Sequence, residues 1–167
     1  ISVIDPIFTL ILLVAAIIAF KKNNRLAAYL GLFLAATYLT LGWVQSQRVE
    51  TFAKTIIAER GQTAETLLVK PTLGNIILWR SIYRYQGSLY VDAIRVGLIK
   101  GPQLYPGESI MQFDRSRDLS AVPDSSVLAK DIERFSHFSA GLIAIRPEQP
   151  DILIDVRYSN LPNTFAP

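Results

Sequence analysis

Few side chains in this chain have the chemistry for a site, and the most suggestive are arginines. Arg80 follows Trp79 in an alternating apolar run and shares one face of that run with Arg84; Arg157 lies beside Asp155 and Tyr158 near the end. A guanidinium offers a planar fork of donors that suits phosphate or carboxylate. The same fork suits a structural pairing with Asp92, Asp155 or a carbonyl across a sheet. The residues leave both readings open. His137 is the single histidine, within Arg134-Phe135-Ser136-His137-Phe138. It suits acid–base work at neutral pH, and equally a surface position late in a helix. There is no cysteine, which excludes disulfides, a cysteine nucleophile and thiolate metal sites. A zinc site built from this chain alone would need carboxylates for most of its ligands, an uncommon set. Nucleophile-elbow, phosphate-loop, zinc-protease and dinucleotide fingerprints are all missing.

The elements that must position these residues fall into two very different parts. The 167 residues are 50% hydrophobic and 19% charged, with nine Gly and nine Pro; mean hydropathy is +0.29. Ordinary soluble chains are about 25% charged, so this one is too apolar for disorder. Residues 1–44 carry four charges, Asp5, Lys21, Lys22 and Arg25; residues 45–167 carry the other fourteen basic and thirteen acidic side chains. The net +3 therefore comes mostly from one short cluster. It makes no basic surface for nucleic acid, and no nucleic-acid partner is expected.

Residues 7–20 and 26–44 are both free of charge, and residues 21–25 (Lys-Lys-Asn-Asn-Arg) separate them. A signal peptide carries its basic flank before one apolar core; here the cluster follows the first core and a second comes at once. The pattern predicts a two-helix membrane hairpin. A bilayer core of about 30 Å needs about 20 helical residues. The second segment meets that with 19 residues, and the first is short at 14. The competing reading is a buried hairpin inside a soluble protein, but residues 45–167 offer too little apolar surface to wrap two helices that are hydrophobic all round. Lys/Arg-rich short loops stay in the cytoplasm, which puts the 21–25 loop inside and the later residues outside.

Asp5-Pro6 opens the first helix. Asp is a good N-cap and Pro a good first helical residue. Asp5 is also an ionisable residue between apolar stretches, and such residues near a membrane are expensive and often functional. The sequence leaves both roles open.

The second apolar helix has no breaker between Val44 and Arg60. Val49, Phe52, Ala53, Ile56 and Ile57 recur at helical spacing, and Gly61 is a C-terminal stop. The predicted helix is up to about 55 Å long at about 1.5 Å per residue. Residues 66–70 read as extended, Pro71 forbids helix before it, and residues 72–75 read as a turn. Residues 76–85 and 89–98 alternate around Gln86-Gly87, a hairpin candidate. Residues 101–122 read as loop with one short strand at 110–113. Asp124 or Ser125 is expected to cap a helix carrying Val127, Leu128, Ile132 and Phe135. Residues 142–146 and 152–158 read as a closing hairpin. The fold class is α+β: an N-terminal two-helix transmembrane hairpin (1–44), then a small soluble domain (45–167) with an antiparallel β-sheet packed by two helices.

Several of these stretches, taken in order, resemble one family. They are Asp5-Pro6-Ile7-Phe8-Thr9-Leu10, Val69-Lys70-Pro71-Thr72-Leu73-Gly74-Asn75, Leu78-Trp79-Arg80, residues 87–92, Arg134-Phe135 with Phe138-Ser139 and Gly141, and Asp155-Val156-Arg157-Tyr158. Together they are similar to the C-terminal half of the bacterial inner-membrane metal-dependent hydrolases, also described as LexA-regulated membrane-bound hydrolases. The resemblance covers nearly the whole chain. It rests on the joint order of short motifs.

The resemblance implies a parent protein embedded in the bacterial inner membrane, with a divalent metal such as zinc that activates water. The histidine motifs thought to hold that metal precede the Asp-Pro motif in the family and are missing here. Asp5 is the one residue placed near the metal, as ligand or orienting group. By itself this chain is expected to lack hydrolase activity. The domain after residue 44 would cover or gate the site from the periplasmic or extracellular side, with a lipid or other membrane-associated ester as substrate. Asn75, Trp79, Arg80, Arg134, Asp155, Arg157 and Tyr158 are the candidate substrate-binding residues. The alternative is a non-catalytic, membrane-anchored binding or interaction module.

Overall fold

The computed structural model describes residues 5–97 and 100–165. Two helices come first, α1 (Pro6–Lys21) and α2 (Arg25–Glu59), and they pack on each other as a hairpin. Small residues let them approach closely: a Cβ added at Gly31 would overlap the Ala15 Cβ. Gly31, Ala35 and Gly42 form the buried line of this half of α2, the small-residue contact typical of helices that associate without water. Among the described residues no other element covers them. No residue of α1 is buried, and Leu10, Leu13, Tyr29, Leu32 and Phe33 are each more than half exposed.

α2 is long and apolar enough to cross a membrane; α1, at 16 residues, is shorter. Without interruption α2 then changes surroundings. Beyond Gly42 its buried residues are Gln45, Val49, Ala53 and Ile57, one per turn, and they lie on a sheet. The helix ends as expected at Gly61: the Gln62 and Gly61 N–H groups donate to the Ile57 and Ala58 carbonyls at 3.1 and 2.9 Å, a doubly bonded C-terminal cap.

The sheet is antiparallel with five strands. β1 (Thr66–Pro71), β2 (Leu78–Tyr85), β3 (Ser88–Val96) and β4 (Pro102–Tyr105) lie in that order, and β5 (Ser109–Met111) pairs with the start of β3. Gln86 and Gly87, both with positive φ, make the tight β2–β3 turn. The sequence reading gave the 101–122 region one strand; it forms two. Gly101-Pro102 and Pro106-Gly107 hid β4, whose Pro sits on an edge strand where its missing N–H costs no ladder bond. A four-residue helix α3 (Arg115–Asp118) follows, then α4 (Val127–Phe138). Ser126 caps α4, one residue beyond the expected position. β6 (Ile143–Arg146) and β7 (Gln149–Asp155) form the closing hairpin.

Alternation assigns the two sheet faces. Trp79 and Ile94 meet Val49 and Ala53 of α2. Ile82, Leu89 and Val91 meet Leu142, Ala144 and Val156 on the opposite side. The expectation of two helices packed on the sheet is corrected to one: α4 packs extensively on no element. It buries Ala129 and Ile132 while Val127, Leu128 and Phe138 stay exposed. The β6–β7 hairpin and the following tail cover the second face instead.

Candidate functional site

The alternating pattern of β1 and β2 brings Lys70 and Arg80 side by side. They are register partners and point to the face away from α2. A cleft of about 870 Å³ opens there, lined by Lys70, Thr72, Leu73, Arg80, Arg157 and Tyr158 among others. Its walls are the β1–β2 connection and the tail after β7. No acidic residue lines it.

Arg80 is 4% exposed and its guanidinium is committed to backbone. Nε and Nη2 donate to the Val156 carbonyl at 3.2 and 2.9 Å, Nη1 to Leu161 at 3.0 Å and Nη2 also to Thr164 at 2.9 Å. A planar fork with five donors can tie three carbonyls of an irregular tail at once. Burial pushes this guanidinium down to about 10, against the pull of Glu108; it stays protonated at neutral pH.

Arg157 forms the opposite wall, with Asp155 behind it. The Asp155 carboxylate accepts from Arg157 Nε at 2.9 Å and Nη2 at 2.6 Å, from the Arg157 N–H at 3.0 Å and from Ser139 Oγ at 2.9 Å. Burial works to raise the Asp155 pKa, but these donors outweigh it and hold the carboxyl below its ordinary value. Asp155 in turn raises Arg157. The Arg157 guanidinium also lies over the Phe138 ring at 5.2 Å and the Tyr158 ring at 5.6 Å.

Lys70 completes the set. Its ammonium lies 4.0 Å from the Tyr158 ring centroid, cation–π distance. Among the described residues it has no ion pair. Burial first, and then the Arg157 charge, lower its pKa, with Asp155 opposing.

The other candidates have different places. Asn75 builds the turn beside the cleft: its Oδ1 accepts from the Ile77 and Leu78 N–H groups at 2.9 and 2.7 Å, and its Nδ2 donates to Thr72 Oγ1 at 2.6 Å. Trp79 is in the core on the α2 side, its Nε1 donating to the Ile76 carbonyl at 3.0 Å. Arg134 is exposed on α4, paired with Asp131, and does not line the cleft. His137 is exposed on the same helix. Of the seven candidates, Arg80, Arg157 and Tyr158 line the cleft, with Asp155 behind them. Lys70 and Ser139 were missing from the candidates. The signal for Lys70 was its place beside Arg80 once residues 66–71 are paired as a strand.

Asp5 caps α1. Its Oδ1 accepts from the Ile7 and Phe8 N–H groups, each at 3.1 Å, and its Oδ2 from the Tyr38 hydroxyl at 2.8 Å. Both oxygens are thus engaged. Among the described residues no group of three or more His, Cys, Asp or Glu side chains could hold a metal ion. These residues do not fit a metal, and no chemical step is derived through one.

No family model, curated protein or solved structure matches this chain. The cleft is therefore read on its own chemistry. It holds cations, an aromatic ring and hydroxyls, without a general base facing the opening. That arrangement can bind an anion and orient it.

Proposed function

We propose that this chain is a membrane-anchored binding domain. In this reading α1 and the first half of α2 cross the bacterial inner membrane as a hairpin, and the sheet domain stands on α2 just outside it. The observation that carries the reading is the bareness of α1 and of the apolar first half of α2; in water that surface would exceed by far the few hundred Å² a monomer exposes. The Lys21, Lys22 and Arg25 loop supports a sheet domain on the periplasmic or extracellular side, since short loops rich in Lys and Arg favour the cytoplasm. Trp43, 65% exposed, falls where the helix would leave the lipid, a favoured depth for tryptophan.

The motif order supports placing this domain in a larger protein of the inner-membrane metal-dependent hydrolase type. There it would cover or gate a membrane-embedded site that acts on a lipid or another membrane-associated ester. The metal, and with it the water activation, would depend on ligands other than those present here. Within this chain the cleft composition favours binding over catalysis. Alkaline carbonate extraction of membranes from expressing cells tests the anchor: the protein is expected in the membrane pellet, and release into the supernatant would overturn the reading.

A further inference from the structure

The β1–β2 turn carries the cleft to the end of the domain nearest the apolar hairpin. Three contacts give the level. Gln45 Nε2 donates to the Val96 carbonyl at 3.1 Å, whereas Arg60, about four turns further along α2, reaches Asp92. The last residue of β3 is thus on the hairpin side of the sheet. β1 ends and β2 begins at that same edge. Gly74, with φ +70°, abuts the start of α1: an added Cβ would lie 3.3 Å from Pro6 Cδ. Leu73 and Ile77, on either side of this turn, are exposed.

The charges in the cleft are unequal. Three cations, Lys70, Arg80 and Arg157, line it and no acidic side chain does among the described residues; Asp155, behind the wall, pairs with Arg157, and Glu108 acts on Arg80 from outside the lining. Arg80 is spent on the tail carbonyls. Asp155 occupies the Nε and Nη2 edge of Arg157 and leaves Nη1 without an acceptor among the described residues. Among the described residues the Lys70 ammonium has no ion pair and lies against the Tyr158 ring. Two partly buried cations therefore converge on one aromatic ring and lack a second counter-charge. Such crowding costs free energy that an incoming anion would recover. That Arg157 helps depress Lys70 reflects the same crowding.

We propose that the cleft between Lys70 and Arg157 is a binding site for a phosphate-bearing group presented at the membrane surface. Lys70 supplies a compact charge and Arg157 Nη1 a directed donor. The Asn160 side chain lines the same opening. Tyr158, Leu73 and Pro71 give apolar walls for the carbon skeleton next to the phosphate, and the cleft has the volume of a small-molecule site. The site rests on the anchored reading only for the source of its ligand, a lipid headgroup rather than a soluble phosphate ester.

The test uses the full chain in neutral detergent micelles, where binding does not depend on bilayer insertion. Calorimetric titrations with phosphatidylglycerol dispersed in the micelles, with sn-glycerol 3-phosphate and with inorganic phosphate give the affinities. Saturable binding of at least one phosphate probe, weakened about tenfold by Lys70→Gln and not by the exposed control Lys130→Gln, is the expected result. Preference for the lipid identifies a headgroup site; equal or better binding of glycerol phosphate identifies a soluble ester, with the site still supported. Absence of saturable binding to all three probes, or an unchanged affinity in a Lys70→Gln protein that melts like the parent, overturns the proposal. Failure of the anchor shows separately, as carbonate-extractable protein.

Discussion

Lys70 and Arg80 are register partners on neighbouring strands, yet their charges are used in opposite ways. The Arg80 guanidinium is consumed by the Val156, Leu161 and Thr164 carbonyls. The Lys70 ammonium, one strand away, faces the Tyr158 ring and has no ion pair among the described residues. One cation builds the wall of the cleft and the other lines its opening.

Arg80 is accordingly expected to matter for stability. Arg80→Met leaves three carbonyls of the tail without their donor, in a place where water enters poorly. A loss of about 3 kcal/mol is expected in chemical denaturation of the full chain. Arg80→Lys should recover little of it, because an ammonium lacks the flat fork that reaches three acceptors. Hydrogen exchange should show residues 156–165 losing protection first. Full stability in Arg80→Lys would show that charge alone suffices.

Acid should loosen the other wall. Asp155 has its carboxyl held below the ordinary value, so the unfolded chain binds its proton more readily than the folded one. Stability from this group is complete above the unfolded value of about 3.9 and is lost as pH falls through the lower, folded value. Denaturation between pH 2 and 5 should show this slope in the parent, and Asp155→Asn should flatten it while lowering stability at neutral pH. An identical slope in the variant would assign the acid sensitivity elsewhere.

At the far end of the sheet, α2 is tied down by a second polar cluster. Arg60 donates to Asp92 through Nη1 at 2.7 Å and Nη2 at 2.9 Å, and to the Tyr83 hydroxyl at 2.8 Å. Tyr83 in turn donates to Gln62 Oε1 at 2.6 Å. Asp92 is 4% exposed and Tyr83 fully buried. Asp92→Ala is expected to cost about 3 kcal/mol by taking from Arg60 its counter-charge and from the Gly107 N–H its acceptor, and Tyr83→Phe about 1 kcal/mol. Thermal denaturation of both variants in detergent checks the order; an Asp92→Ala protein as stable as Tyr83→Phe would contradict it.

How far the sequence reads through to this structure depends on whether the signal is local. The apolar segments, the Gly61 stop and the Gln86-Gly87 turn are each decided by adjacent residues, and all three are legible. β4 is not, since its four residues sit between Gly-Pro and Pro-Gly pairs and pair with β3 only in the folded chain. The placement of α4 is equally non-local. Its capped, amphipathic pattern announces a helix without saying what the helix lies on. The arginines were legible as a type and not in their use: nothing near Arg80 in sequence reveals that its acceptors lie about 80 residues later. Lys70 needs the β1–β2 register before it becomes a neighbour of Arg80. Of the two roles the sequence leaves open for Asp5, the cap is local and is the one present, whereas its bond to Tyr38 depends on how the two helices align.

Everything proposed rests on residues 7–20 and 26–44 being in lipid, and the lack of cysteine makes that claim easy to probe. Single cysteines introduced as Asn23→Cys, Phe33→Cys and Ser116→Cys can be labelled in intact cells with a membrane-impermeant maleimide. Ser116→Cys, in the sheet domain, should react at once; Asn23→Cys, in the basic loop, only after the inner membrane is opened; and Phe33→Cys, midway along the apolar half of α2, in neither case. Ready labelling of Phe33→Cys, or purification of the chain as a detergent-free monomer, would contradict the anchored hairpin and remove the membrane from everything proposed for the cleft.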